Sequence, residues 1–183
     1  MAPSIAPDVP LFVVVNGPPA SGKTTLSEPL ARRLGLPLIA KDTIKEALMT
    51  VFEVPDVEAS QRLGRAAIAA MLGTAASCTT GAVLDANFRR SIAAAELGRL
   101  PGQVVEVFCE CQRGVCLARY RARGRQRPPG HFDAARADAD IWNDEVAQPI
   151  AGDWPLVRID TARPVDLDDA VDLIRRARAS ADP

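Results

Sequence analysis

LFVVVNGPPASGKTT, Leu11 to Thr25, is the stretch whose reading decides the fold. It opens with five apolar residues, Leu11 to Val15, rich in β-branched valine, as a buried strand requires. The segment Gly17–Thr24, GPPASGKT, then fits G-x-x-x-x-G-K-[ST] at every fixed position and runs directly into a helical pattern. That strand-loop-helix context separates a phosphate-binding loop from a chance glycine turn. Gly17 and Gly22 let backbone N–H groups curl around phosphate oxygens, and the following helix turns its positive end toward them. Lys23 adds a charge that reaches the β and γ phosphates, and Thr24 offers a hydroxyl to a magnesium ion. Pro18, Ala20, Ser21 and Thr25 complete the stretch, so the loop predicts binding of ATP with Mg2+. The chain has three lysines (Lys23, Lys41 and Lys45) among many arginines, so a lysine at this position is not compositional noise.

Outward from the loop, short β-rich runs alternate with helical patterns. A helix over about Gly22 to Leu34 is followed by LPLIA, a helix opening at Asp42, and an Ala-rich helix between Val57 and Ser77. The strand AVLDA, a helix from about Ser91, the strand QVVEVFC, helical stretches around an Arg-rich loop, the strand PLVRID and a last helix complete the chain. Such alternation signals parallel strands joined by helices. We therefore expect an α/β fold: a five-stranded parallel sheet with helices on both faces and an Arg-rich lid over about 113–132. The first ten residues hold three prolines and read as a poorly ordered tail, leaving 11–183 as one domain. Pro29 lies inside the first helix, where it predicts a kink but not a helix end. In the last helix, Leu167, Ala170, Val171 and Ile174 form an apolar stripe that should lie on the sheet.

Composition narrows the function classes. At 183 residues, a net charge of −1 leaves no positive field for a nucleic-acid backbone. No apolar run approaches the roughly 20 residues of a membrane span. MAPSIAPDVP lacks a basic n-region, so a soluble, cytoplasmic protein is expected. Cys109, Cys111 and Cys116 follow C-x-C-x4-C, which lacks the paired C-x2-C of zinc sites and reads as structural thiols. His131, the single histidine, sits beside a Gly-Pro stretch and reads as a loop residue. Trp142 and Trp154 suit core or pocket walls.

A phosphate loop serves many reaction types, so the chemistry must come from other residues. Asp42, in LIAKDTIKEAL at the end of the second strand, is placed to accept or orient the proton of an attacking hydroxyl. The same aspartate also suits a helix N-cap, and one carboxylate cannot easily do both. Asp85 ends the strand GAVLD, where phosphate-loop enzymes hold magnesium directly or through water; the alternative is a turn residue. The run RYRARGRQRPPGHF carries Arg119, Arg121, Arg123, Arg125 and Arg127. If the segment from Gly114 starts helical, Arg119 and Arg123 share a face and Arg127 continues past Gly124, so these three are expected to stabilise transferring phosphate. The alternative is a solvated charged face. Asn87, Arg89 and Arg90 follow the third strand and are expected on the side of the hydroxyl acceptor.

These segments together resemble the small P-loop kinases of the nucleoside-monophosphate-kinase-like fold, a group that includes chloramphenicol phosphotransferase, gluconate kinase, zeta toxins and the kinase domain of polynucleotide kinases. The resemblance covers most of the chain from Leu11. It implies ATP-dependent transfer of a γ-phosphoryl group to a hydroxyl of a small molecule, with Asp42 acting on that hydroxyl and the lid arginines on the phosphate. It also implies that the stretch DTARP, with Thr161 and Arg163, lies near adenine. Two alternatives stay open: a polynucleotide 5′-hydroxyl kinase, and a nucleotide-binding switch or zeta-toxin-like kinase controlled by a partner.

Overall fold

The computed structural model describes residues 9–124 and 127–180. The tail expected over 1–10 lies outside these for residues 1–8, as does Arg125. Five parallel strands form one sheet: β1 Leu11–Asn16, β2 Leu38–Ala40, β3 Gly81–Asp85, β4 Gln103–Glu110 and β5 Leu156–Asp160, in the order β2-β3-β1-β4-β5. The helices are α1 Lys23–Leu34, α2 Lys41–Met49, α3 Val57–Ala76, α4 Arg90–Leu97, α5 Arg113–Gly124, α6 Asp138–Ile141, α7 Asp144–Ala147 and α8 Leu167–Ala179. Two 3-10 turns, Pro129–His131 and Asp133–Ala135, follow α5.

This sheet carries helices on both faces, as its sequence alternation requires. β1 lies between β3 and β4 and is buried along its whole length, which explains its unbroken apolar run. Alternate residues of β1 serve two cores. Val13 and Val15 pack with Leu26 and Leu30 of α1 and with Val171 and Ile174 of α8. Phe12 and Val14 pack with Met71 of α3, Leu84 and Leu97. Ile174 is fully buried, so Ile174→Ala should destabilise the fold by about 2–5 kcal/mol, read by urea denaturation.

The order of the strands sets the site. The chain crosses from β1 to β2 and returns to β3 beside β1, while β4 and β5 extend the other way. The order thus reverses at β1, and such a switch point opens a crevice at the carboxyl ends of the strands. Val15 pairs with Asp85, so β3, not the second strand, brings its terminal carboxylate next to the loop. Asp42 stands one strand further out, in the first turn of α2.

α1 runs through Pro29 without ending, as expected. One local expectation changes in detail. The arginine run is helical as far as Gly124, so Arg119, Arg121 and Arg123 ride on α5 and not on a loop. Among the described residues, no helix is long and apolar enough to cross a membrane.

Candidate active site

The loop after β1 is built for close approach to an anion. Gly17 has φ +143° and Gly22 φ +96°, conformations that side-chain-bearing residues rarely adopt. A Cβ on Gly17 would lie 2.9 Å from both the Cys109 carbonyl oxygen and Ser21 Oγ. Ala20 also takes a positive φ, of 60°. Inside the loop, the Lys23 Nζ donates to the carbonyl oxygens of Gly17 at 2.9 Å and Pro18 at 2.8 Å. Burial pulls the Lys23 ammonium down to about 8, with the nearby carboxylates of Asp85 and Asp42 opposing the shift. Ser21 Oγ is buried there without a hydrogen-bond partner. A buried, incompletely neutralised ammonium beside an orphaned hydroxyl fits a phosphate ligand.

Asp85 is buried at the end of β3, and its Oδ2 lies 3.1 Å from Ser27 Oγ of α1. The same hydroxyl lies 2.8 Å from the Lys23 carbonyl oxygen. Thr24, one residue into α1, faces the cleft. Thr24 and Asp85 present the hard oxygen donors that suit Mg2+. Among the described residues, no group of three or more His, Cys, Asp or Glu side chains could hold a metal. An ion here would thus lean on phosphate oxygens and water.

Asp42 is not an N-cap: that position falls to Ala40, and the Asp42 side chain turns to two cations. Its Oδ1 lies 2.7 Å from Lys41 Nζ and its Oδ2 2.6 Å from Arg127 Nη2. Burial alone would raise its pKa, but Lys41 and Arg127 outweigh that and hold the carboxyl well below the usual carboxylate range. Arg127 also pairs with Asp133 at 3.1 Å, and His131 Nε2 meets Glu46 Oε1 at 2.9 Å. Burial lowers the pKa of His131, helped by Arg127. Lys45 donates to Ser60 Oγ at 2.7 Å, and Ser60 donates to the Gly130 carbonyl oxygen at 2.6 Å. The segment after α5 is thereby stitched to α2 and α3.

The three arginines singled out in the sequence separate in space. Arg119 donates to the carbonyl oxygens of Thr161 and Ala162, at 3.2 and 3.4 Å. Arg127 is engaged by Asp42 and Asp133 and does not line the main cleft. Arg123 does line it, with its guanidinium 5.9 Å from the centre of the Tyr120 ring and its Nε buried without a partner. Arg121 turns away to Asp138.

A cleft of about 820 Å³ gathers most of the expected residues. Ala20, Gly22, Lys23, Thr24 and Thr25 line it from the loop, Asp42 from α2, and Asp85 and Asn87 from the end of β3. Arg119 and Arg123 of α5 close a third side, and Thr161 and Arg163 a fourth. Arg89 does not reach it: the residue is exposed at the start of α4, with Nε 4.0 Å from Glu145. Sequence reasoning missed Ser27, Lys41, Lys45, Glu46 and Asp133. One signal was available, since all three lysines of this arginine-rich chain fall at this site. The four cysteines are free, and burial pushes the thiols of Cys109 and Cys116 up to about 12, which makes them inert.

Sheet order, phosphate loop and flanking helices together define the small P-loop kinase fold. Residues 12–148 match the model of a family described as an AAA domain, and the chain belongs to that family. A structure described as a "putative kinase" from Chloroflexus aurantiacus j-10-fl is 30% identical, with a TM-score of 0.83 over 93% of this chain and 99% of that one. A gluconokinase from Sinorhizobium meliloti 1021 shares the fold at 21% identity and a TM-score of 0.60, covering 94% of this chain and 93% of the other. So does a shikimate kinase from Acinetobacter baumannii in complex with shikimate, at 21% identity and a TM-score of 0.59, with 96% of each chain covered. No curated protein matches the chain.

Proposed function

We propose that this protein is an ATP-dependent kinase that transfers the γ-phosphoryl group to a hydroxyl of a small molecule. The observation that carries the reading is the convergence in one cleft of a buried loop lysine, two strand-end or helix-start carboxylates and one uncommitted arginine. When bound, Mg·ATP supplies the phosphoryl group and a metal that neutralises its charge. Lys23 leaves the loop carbonyls to hold phosphate oxygens, with Thr24 and Asp85 serving the metal directly or through water. Asp42 orients the acceptor hydroxyl and takes its proton as the bond to phosphorus forms. Asn87, on the same side of the cleft, holds the acceptor. The backbone of Thr161 to Arg163 borders the adenine, kept in place by Arg119.

Arg123 is assigned to the transferring phosphate, because Arg119 and Arg127 already have partners. Arg123→Ala should lower kcat by about 10²–10³, the cost of one preorganised donor, with little change in nucleotide affinity. Arg119→Ala should act mainly on the KM for nucleotide. Steady-state kinetics of the two variants side by side checks this division, and an equal loss in both would refute it.

Residues 11–183 act in this reading as one domain, with 113–132 as a lid that excludes water during transfer. A cytoplasmic setting suits an enzyme with four free cysteines that consumes ATP. The test is ADP release with magnesium and pooled sugars, sugar acids, nucleosides, hydroxylated antibiotics or a 5′-hydroxyl oligonucleotide. One small-molecule pool is expected to stimulate release. Stimulation by the oligonucleotide alone would replace the reading with a polynucleotide kinase.

A further inference from the structure

Beneath the phosphate loop lies a buried polar network that the reaction just described does not use. Glu106, in the middle of β4, is 2% exposed, and Asn16, the residue before Gly17, is fully buried. Glu106 Oε1 accepts from Asn16 Nδ2 at 3.1 Å, and both its oxygens accept from the Ile150 N–H, at 3.0 and 3.1 Å. Trp154 Nε1 approaches Oε2 at 3.5 Å. The Asn16 side chain has a second use: its Oδ1 accepts from the Phe88 N–H at 3.2 Å. Phe88 directly follows Asn87, so one asparagine ties the start of the phosphate loop to the turn that carries Asn87.

A carboxylate buried on the apolar side of a sheet costs stability unless every lone pair is used. Glu106 meets donors only, and a group that accepts on both sides is what this position demands. An amide there would have to aim its NH2 either at Asn16 or, turned over, at the Trp154 Nε1–H and Ile150 N–H that face Oε2. Turning Asn16 over to receive it would set Nδ2 against the Phe88 N–H. One donor thus meets a donor in every arrangement.

We propose that Glu106 and Asn16 are positioning residues that fix the phosphate loop relative to the acceptor turn, and with it the distance across which phosphoryl transfer occurs. This rests on the kinase reading above. Neither residue lines the cleft, so neither touches a reactant. Their effect passes through Gly17 on one side and Asn87 on the other.

The test uses the full chain, with Mg·ADP for binding and ADP release from Mg·ATP with the acceptor pools for turnover. Glu106→Gln and Asn16→Ala, assayed well below their unfolding temperatures, should bind Mg·ADP within about threefold of the wild type. Their turnover should fall about tenfold or more, as expected for small misplacements of reacting groups. The swap Asn16→Asp with Glu106→Gln supplies the rescue. Asp at 16 would accept from the Phe88 N–H and from the new amide, and the amide oxygen would keep Ile150. The swap should return turnover to within about threefold of the wild type, which simple loss of packing does not predict. If Glu106→Gln does not fold, Asn16→Ala and the swap decide the matter. Wild-type turnover in a folded Asn16→Ala or Glu106→Gln, or a loss that the swap leaves unrepaired, overturns the proposal. A wild type that binds Mg·ADP but releases no ADP with any pool removes the kinase reading, and this inference with it.

Discussion

Lys23→Ala is expected to weaken Mg·ATP binding by about 100-fold or more, from roughly 1.5–3 kcal/mol for each charge-assisted hydrogen bond lost. The loop glycines and N–H groups remain, while the two bonds from Nζ to the Gly17 and Pro18 carbonyl oxygens go with the side chain. Isothermal titration of the two proteins reads the difference, and equal affinity would remove Lys23 from the site. The wild type carries a second signature. Burial lowers the Lys23 pKa from 10.5 to about 8. In the unfolded chain the lysine still binds its proton between those values, so that stability rises with pH across that window as the cost of a buried charge is relieved. Nucleotide binding runs the other way. Phosphate favours the charged form, so affinity is full below about pH 8 and falls above it. At about pH 9 binding should therefore take up protons, seen as a dependence of the measured enthalpy on the buffer's ionisation heat.

The sheet was legible because its signals are local. Valine-rich runs, a helix pattern after each and a motif with four fixed positions leave few alternatives once parallel strands are accepted. Asp85 and Asn87 followed from the same logic, since strand ends line the crevice whatever the strand order. The order itself was not legible, and it moved Asp42 one strand away from the loop. Nor could spacing along a helix foresee how cations would be shared. Arg119, Arg123 and Arg127 look equivalent at four-residue intervals, yet carbonyl oxygens take the first and carboxylates the third. Thr161, which takes Arg119, and Asp42, which takes Arg127, lie more than 40 positions away in sequence. His131 shows the same limit: it reads as a loop residue and proves buried against Glu46. A single loop residue gives no sequence signal of the helix face that will receive it.

Asp42→Asn should keep Mg·ADP affinity within about threefold and lower phosphoryl transfer by about 10²–10⁴, the usual contribution of a positioned acid or base. The ion pairs with Lys41 and Arg127 explain why the loss should be large. Both oxygens of the carboxylate face cations, so an amide sets its NH2 against one of them and turns the remaining oxygen away from the acceptor. They also define the pH behaviour. The folded-state pKa of Asp42 is depressed, so the ionised form persists as pH falls through the ordinary carboxylate range and is lost only below it. The kcat profile of the wild type should accordingly show no acid limb from Asp42 between about pH 5 and pH 7, where an unpaired carboxylate with a raised pKa would produce one. A carboxylate so stabilised is a weak base, so in the proposed reaction its first role is to orient the acceptor hydroxyl. Arg127→Ala should then move an acid limb upward into the measurable range as Asp42 loses a cation. A pH profile identical to the wild type's would show that Arg127 serves the fold and not the base.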